Sequence, residues 1–361
     1  MAPKPTATPD AGRDARPPRR ESPDARRVVV LQLAFIGDMV FTTAMLDALR
    51  EHWPGARITV VGRPVALEVL DEHPAVDDVV PYDKQRADRG LRGLLRVARA
   101  IRARRPEVLF GVSRSARTTA LAALSGAPLR IGFDGPGQRL VYGRTVPRAD
   151  ADRTFVERPL GLLAAAGIEP RPRPARLVVG DRRRAQARAR LAAAGWDGRP
   201  LVAIAPGANY ATKRWPERHV ATLLDGLLAG GRLRPALYGG PAERELIARL
   251  SAARPGVLDR GDLGLADAMA EISIASVFVG GDTGPLQIAR ALGVPAVLLA
   301  GPTDPSRLSD GRPLEVLTLG LDCQPCSAGG DDRCPLGHHR CLEDLAPDRV
   351  LEAVVRVAES R

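Results

Sequence analysis

The chain has 361 residues, more than one typical core accommodates, so two domains are expected. A formal net charge of +11 favours an anionic partner, and the absence of a helix-turn-helix, zinc finger or aromatic RNA platform argues against nucleic acid. Aromatic residues are 4% of the chain, no apolar run reaches the length of a membrane helix, and all four cysteines fall within residues 323–341, which suits a reducing cytoplasm.

Residues 1–27 are rich in Pro, Arg and Ala and lack a secretory hydrophobic region, so a disordered tail is expected there. Residues 28–33 form a β-branched apolar run that reads as a strand buried on both faces. Gly37 and Asp38 then suit a tight turn and a helix cap. Val40, Ala44, Met45 and Leu49 share one helical face until Trp53-Pro54-Gly55 stops the helix. A turn of this kind lies at the carboxyl edge of a parallel sheet, where open α/β folds bind ligands.

Strands are expected at 57–61, 79–80, 107–112 and 129–133, and helices at 64–70, 91–103 (amphipathic and strongly basic), 118–124 and 155–166. The Pro-interrupted stretch 168–174 divides an N-terminal domain, 28–170, from a C-terminal domain, 171–361. The pattern then restarts with helices at 182–194, 216–229, 242–250, 265–273 and 285–292 and strands at 201–205, 235–238, 275–280 and 296–300. A final helix at 347–359 fits either domain. The whole implies two Rossmann-like, doubly wound α/β domains facing a cleft.

Three strand-to-helix loops of the second half suit a phosphorylated ligand. In PGANYATKRWP (206–216), Gly207 and Ala208 admit close approach, Thr212 offers a hydroxyl and Lys213 a charge. In GGPAERE (239–245), Glu243 stands where a carboxylate takes a ribose hydroxyl or serves the helix dipole. In GGDTGPLQ (280–287), Asp282 and Thr283 can cap a helix whose start at Gly284 and Pro285 is a ready anion site. No G-x-G-x-x-G follows a strand, which argues against a nicotinamide enzyme. Cys323, Cys326, Cys334 and Cys341 read C-x2-C-x7-C-x6-C, leaving two readings open: a structural zinc, or reduced thiols.

Taken in order, GDMVFTT, PGANYATKRWP, the GGDTGP turn, GVPAVLLAGPTDP and CPLGHHRCLEDLAPDRV resemble glycosyltransferase family 9, the lipopolysaccharide heptosyltransferases, from about Val28 to the C-terminus. The last segment looks most like the heptosyltransferase II branch. The resemblance implies a GT-B fold, with the acceptor on the N-terminal domain and the nucleotide sugar on the C-terminal one. It also implies inverting, metal-independent transfer of heptose from ADP-heptose to an anionic, lipid-linked core glycan. The place implied is the cytoplasm, peripheral on the inner face of the inner membrane.

Carried over, the resemblance makes Asp38 the general base, a residue that otherwise reads as a helix cap. It gives donor contacts to Thr212, Lys213, Glu243, Asp282, Thr283, Gly284 and Gln287. The family often has His at the last of these, and Gln donates a hydrogen bond but carries no charge. Arg63, Arg114 and Arg117 are candidates for acceptor phosphates or carboxylates. A helix N-terminus should lower the basicity of Asp38, a tension that a late proton transfer relieves. Two alternatives stay open: another nucleotide sugar for a different surface glycan, and a non-catalytic nucleotide-sugar-binding protein.

Overall fold

The computed structural model describes residues 24–147 and 154–360. Most of the expected tail lies outside these residues, but its last part belongs to the first domain. Ala25 is buried, Arg27 opens the first strand, and the Arg26 and Arg27 N–H groups donate to Glu107 Oε2 at 2.6 and 3.2 Å.

The first domain places β1 (Arg27–Gln32), β2 (Arg57–Gly62), β3 (Asp78–Pro81), β4 (Val108–Gly111), β5 (Leu129–Phe133) and β6 (Arg144–Val146) in one parallel sheet, ordered β3-β2-β1-β4-β5-β6. Its helices are α1 (Ile36–His52), α2 (Pro64–Leu67), α3 (Gly90–Ala103), α4 (Ala116–Leu124) and α5 (Glu157–Ala165). The chain then enters α6 (Asp181–Ala193), β7 (Leu201–Ala205), α7 (Glu217–Gly230), β8 (Arg234–Leu237), α8 (Arg244–Ala252), β9 (Leu258–Asp259) and α9 (Leu265–Ile272). It finishes with β10 (Val277–Gly281), α10 (Gly284–Ala291), β11 (Ala296–Leu299), β12 (Leu314–Leu317), α11 (Arg340–Glu343) and α12 (Pro347–Glu359).

The second sheet, β12-β11-β10-β7-β8-β9, repeats the strand order of the first when read from its other edge. Each sheet therefore reverses direction beside its first strand, between β1 and β4 and between β7 and β10. Such a switch point opens a crevice at the strands' carboxyl ends. The short strands β6, β9 and β12 are additions to the sequence expectation, and α12 packs on α7 and the second sheet.

Helix α1 departs from the amphipathic expectation. Ten of its residues are buried, because the first sheet covers one side and α10 of the second domain packs on another. Its buried Thr42 and Thr43 hydroxyls donate to the Asp38 and Val40 carbonyls at 2.7 and 2.6 Å, so neither threonine hydroxyl is left unpaired inside this contact. The interdomain contact thus runs along α1, from the turn that opens it to Asp47 and Glu51, which pair with Arg176 and Arg173.

Candidate active site

The N-cap of α1 is Phe35, two residues before the expected cap at Gly37-Asp38. Asp38 sits inside the first turn, where its Oδ2 accepts the Phe35 N–H at 3.1 Å. Burial pushes the Asp38 carboxyl above the usual aspartate range, Asp282 across the cleft adds to the rise, and the Phe35 N–H and Lys213 oppose it. Desolvation therefore outweighs the helix terminus in setting the direction of the shift.

Asp38 borders a cavity of about 420 Å³ at the first switch point, between residues following β1 and those following β4. Arg114 lines it, together with three residues not anticipated from sequence: Lys84, Phe155 and Arg158. Phe155 stacks on Phe41 with ring centroids 5.3 Å apart, and the Arg158 and Arg307 guanidinium carbons stand 4.9 Å from its ring centre. Arg307 belongs to the second domain, so this aromatic wall is shared across the cleft. Lys84 and Arg158 each belong to a loop or helix start with no motif around it, and only the topology brings them to this mouth. Arg63 reaches the same edge, 5.7 Å over the Phe35 ring, while Arg117 is exposed in the first turn of α4.

The second switch point joins the loop after β7 to the loop after β10, with Gly207, Lys213 and Gly281 in one narrow pocket. Asp282 is its hub: Oδ2 accepts from Lys213 Nζ and Thr303 Oγ1, each at 3.0 Å, and Oδ1 accepts from Gln287 Nε2 at 3.1 Å. Gln287 is buried, and its own Oε1 accepts from Arg290 at 3.2 Å. Arg290 in turn pairs with buried Asp310 at 2.6 Å. Gln287 therefore orients Asp282, and its amide is committed within the protein. Gly281 is required here, because a Cβ on it would stand 2.8 Å from the Lys213 carbonyl.

Glu243 Oε2 accepts the Gly240 N–H at 2.9 Å, and its stem lies against Gly207, so the two loops named from sequence do meet. Thr283 stands at the N-cap of α10 with its hydroxyl on the Gly281 carbonyl rather than on a helix N–H, and Gly284 begins the helix against the start of α1: a Cβ on Gly284 would lie 3.3 Å from Ile36 Cβ. Two helix N-termini thus abut, each beside a carboxylate. Thr212 is buried and turned away. Its hydroxyl donates to the Asp331 carbonyl at 2.7 Å, and its own carbonyl accepts from His339 Nε2 at 2.9 Å.

Those two partners lie in the cysteine segment, which packs over the Lys213 loop with Gly330 against the Lys213 stem. Cys323, Cys326, Cys334 and Cys341 are free thiols. Among the described residues no three His, Cys, Asp or Glu side chains are placed to hold a metal ion. No helix of the described residues is long and apolar enough to cross a membrane.

The sequence profile of glycosyltransferase family 9 (heptosyltransferase) matches residues 94–332, two-thirds of the chain, with Asp38 lying before the matched stretch. Lipopolysaccharide heptosyltransferase 2 of Salmonella typhimurium is 24% identical over 340 residues, covering 90% of this chain and 97% of that protein. A glycosyl transferase family 9 structure from Veillonella parvula superposes with a TM-score of 0.82 at 23% identity, covering 93% of this chain and 98% of that one. The E. coli ADP-heptose lipopolysaccharide heptosyltransferase II structure does so with 0.77 at 22%, covering 92% and 99%. The likeness to these structures extends through both Rossmann-like halves, as GT-B requires.

Proposed function

We propose that this chain, which belongs to glycosyltransferase family 9, moves heptose from ADP-heptose to the inner core of lipopolysaccharide with inversion at the anomeric carbon. The observation that carries this reading is the opposition of Asp38, at the mouth of one switch-point cavity, to the Lys213–Asp282 pair at the other. The names of the relatives supply the sugar, the nucleotide and the acceptor. The ADP moiety belongs in the second domain, with its diphosphate at the start of α10 and beside Lys213, and Glu243 near the ribose. The anionic acceptor belongs in the first domain's cavity, whose rim carries Lys84, Arg114 and Arg158.

Chemistry follows from that placement. The bond from the anomeric carbon to the diphosphate breaks, its electron pair passes to the departing ADP, and the sugar acquires oxocarbenium character. Lys213 and the N–H groups at the start of α10 stabilise the charge that grows on ADP. The acceptor oxygen forms the new bond from the opposite side of the sugar, and its proton goes to Asp38. The raised Asp38 pKa makes it a stronger base than an ordinary carboxylate, so proton transfer need not wait for full departure of ADP. The charge of Lys213 and the helix start serves the diphosphate where another enzyme would use a divalent cation. We place the reaction in the cytoplasm, at the inner face of the inner membrane, where the acceptor glycan is lipid-linked.

The test is transfer from ADP-heptose to inner-core acceptors offered both without heptose and with one heptose already attached, preceded by thermal stabilisation with a set of nucleotide sugars. ADP-heptose at about 100 times its dissociation constant should add roughly 2.7 kcal/mol of stability. Transfer from a different nucleotide sugar alone would move the chain to another glycan. Binding without any transfer would make it a nucleotide-sugar-binding protein.

A further inference from the structure

This chain is rich in arginine, and many of the arginines among the described residues pair with a nearby carboxylate. Arg50 pairs with Asp77, Arg176 with Asp47, Arg244 with Asp259, Arg254 with Asp225 and Arg260 with Glu271. Helix α3 gathers several that do not. Its sequence, GLRGLLRVARAIRA, contains no acidic residue. Arg96 pairs with Asp88, but Arg89, Arg92, Arg99 and Arg102 form no ion pair among the described residues.

The spacing places the charges together. Arg89, Arg92, Arg96 and Arg99 recur at three- and four-residue steps on the exposed side, opposite the buried Gly93, Val97 and Ile101. Large apolar side chains bound the stripe. Leu91, 68% exposed, lies at the helix start, while Leu124 on neighbouring α4 is exposed beyond the helix end, where the Arg102 stem packs on Gly126. A surface with unneutralised arginines and an outward leucine is one that an anionic lipid surface satisfies: headgroups take the guanidinium charges and the acyl boundary takes Leu91. The helix is also placed for that use. The loop leading into α3 carries Lys84, which lines the Asp38 cavity.

We propose that the exposed face of α3 docks on an anionic bilayer and holds the Asp38 cavity beside the membrane. The proposal rests on the reading above that the acceptor is lipid-linked. In it, Arg89, Arg92 and Arg99 are electrostatic contacts, Leu91 inserts at the interface, and the lipid-borne glycan passes Lys84 to reach Asp38.

The experiment is co-sedimentation of the full chain with vesicles of phosphatidylglycerol mixed into phosphatidylcholine, and with phosphatidylcholine alone. Wild type should prefer the anionic vesicles and lose that preference as salt rises. Each basic side chain near such a surface is worth roughly fivefold in affinity, so R89Q/R92Q/R99Q should bind about 100-fold more weakly. Stabilisation by ADP, which binds the other domain, should be unchanged in that variant and verifies its fold. Comparing variant with wild type also subtracts any attraction from the basic N-terminal residues.

Equal binding of the variant and wild type overturns the proposal, as does equal binding to both vesicle types. Arginine-dependent binding to heparin with none to vesicles would assign the surface to a soluble polyanion instead. Vesicle binding is read without sugar transfer, so the two readings fail separately. A chain that docks through α3 but transfers no heptose overturns the function proposed above and leaves the surface standing. Transfer to a detergent-dispersed acceptor without arginine-dependent docking overturns the surface alone.

Discussion

Lys213 Nζ donates to Asp282 Oδ2 at 3.0 Å, and both side chains are largely shielded from water. Asp282 thereby fixes the ammonium near the start of α10, where the function proposed above puts the diphosphate. Lys213→Ala removes the positive partner and leaves Asp282, a negative charge, facing the phosphates. A charge-assisted contact is worth about 1.5–3 kcal/mol, so ADP affinity should fall by roughly 10- to 150-fold by calorimetry. Adding Asp282→Asn to that variant should recover part of the loss, because the unpaired carboxylate is then gone. Unchanged affinity in Lys213→Ala would move the diphosphate away from this loop.

Gln287 offers a second separation. It joins Arg290 to Asp282, so Gln287→Leu leaves a buried guanidinium without one acceptor and a carboxylate without one donor. The expected cost is about 1–3 kcal/mol of unfolding free energy, with a higher KM for the nucleotide sugar as Asp282 and Lys213 lose their alignment. A direct role for Gln287 in helping the leaving group predicts a different result: lower kcat at wild-type stability. Denaturant unfolding and steady-state kinetics on one preparation decide between them.

These networks also mark how far the residues could be read in advance. Runs such as VVVLQ and LVAIA announced buried parallel strands, and glycine-bearing turns after them located both switch points. The roles inside the turns were less legible. Thr212 was expected to face the donor, yet its hydroxyl is spent on Asp331, a contact between residues far apart in sequence. Lys84 and Arg158 reach the Asp38 cavity from separate elements, so no local pattern could single them out. The two-sided burial of α1 likewise follows from the second domain, which periodicity within one helix does not encode.

Chelation tests the charge arrangement at the second switch point. With Lys213 and the α10 terminus stabilising the diphosphate, transfer in excess EDTA should proceed at the untreated rate. Metal analysis of the same protein establishes whether the cysteine segment holds zinc. Loss of transfer on chelation with the fold intact would require a metal in the reaction. Loss accompanied by unfolding would instead make the cysteine segment, which packs on the Lys213 loop, a metal-stabilised structural piece.

Asp38→Asn distinguishes a base from a scaffold. Asn keeps an oxygen able to accept the Phe35 N–H, so the first turn of α1 should persist, and ADP should bind as before in the other domain. Burial raises the folded-state pKa of Asp38, which fixes the sign of its effect on stability. That contribution is fully present below the unfolded aspartate value and is lost as pH rises through the folded one. Ionised Asp38 therefore weakens the fold at neutral pH. Asn should stabilise the protein there, and the gain should shrink on acidification. The rate should move the other way. Wild-type transfer should fall as pH drops through the raised pKa, whereas the variant, unable to accept a proton, should be slower by roughly 100- to 10,000-fold and lack that acid limb. A variant that is more stable, binds ADP normally and has lost transfer identifies Asp38 as the general base. If it transfers at the wild-type rate with the wild-type acid limb, the base is another group and Asp38 serves only the turn.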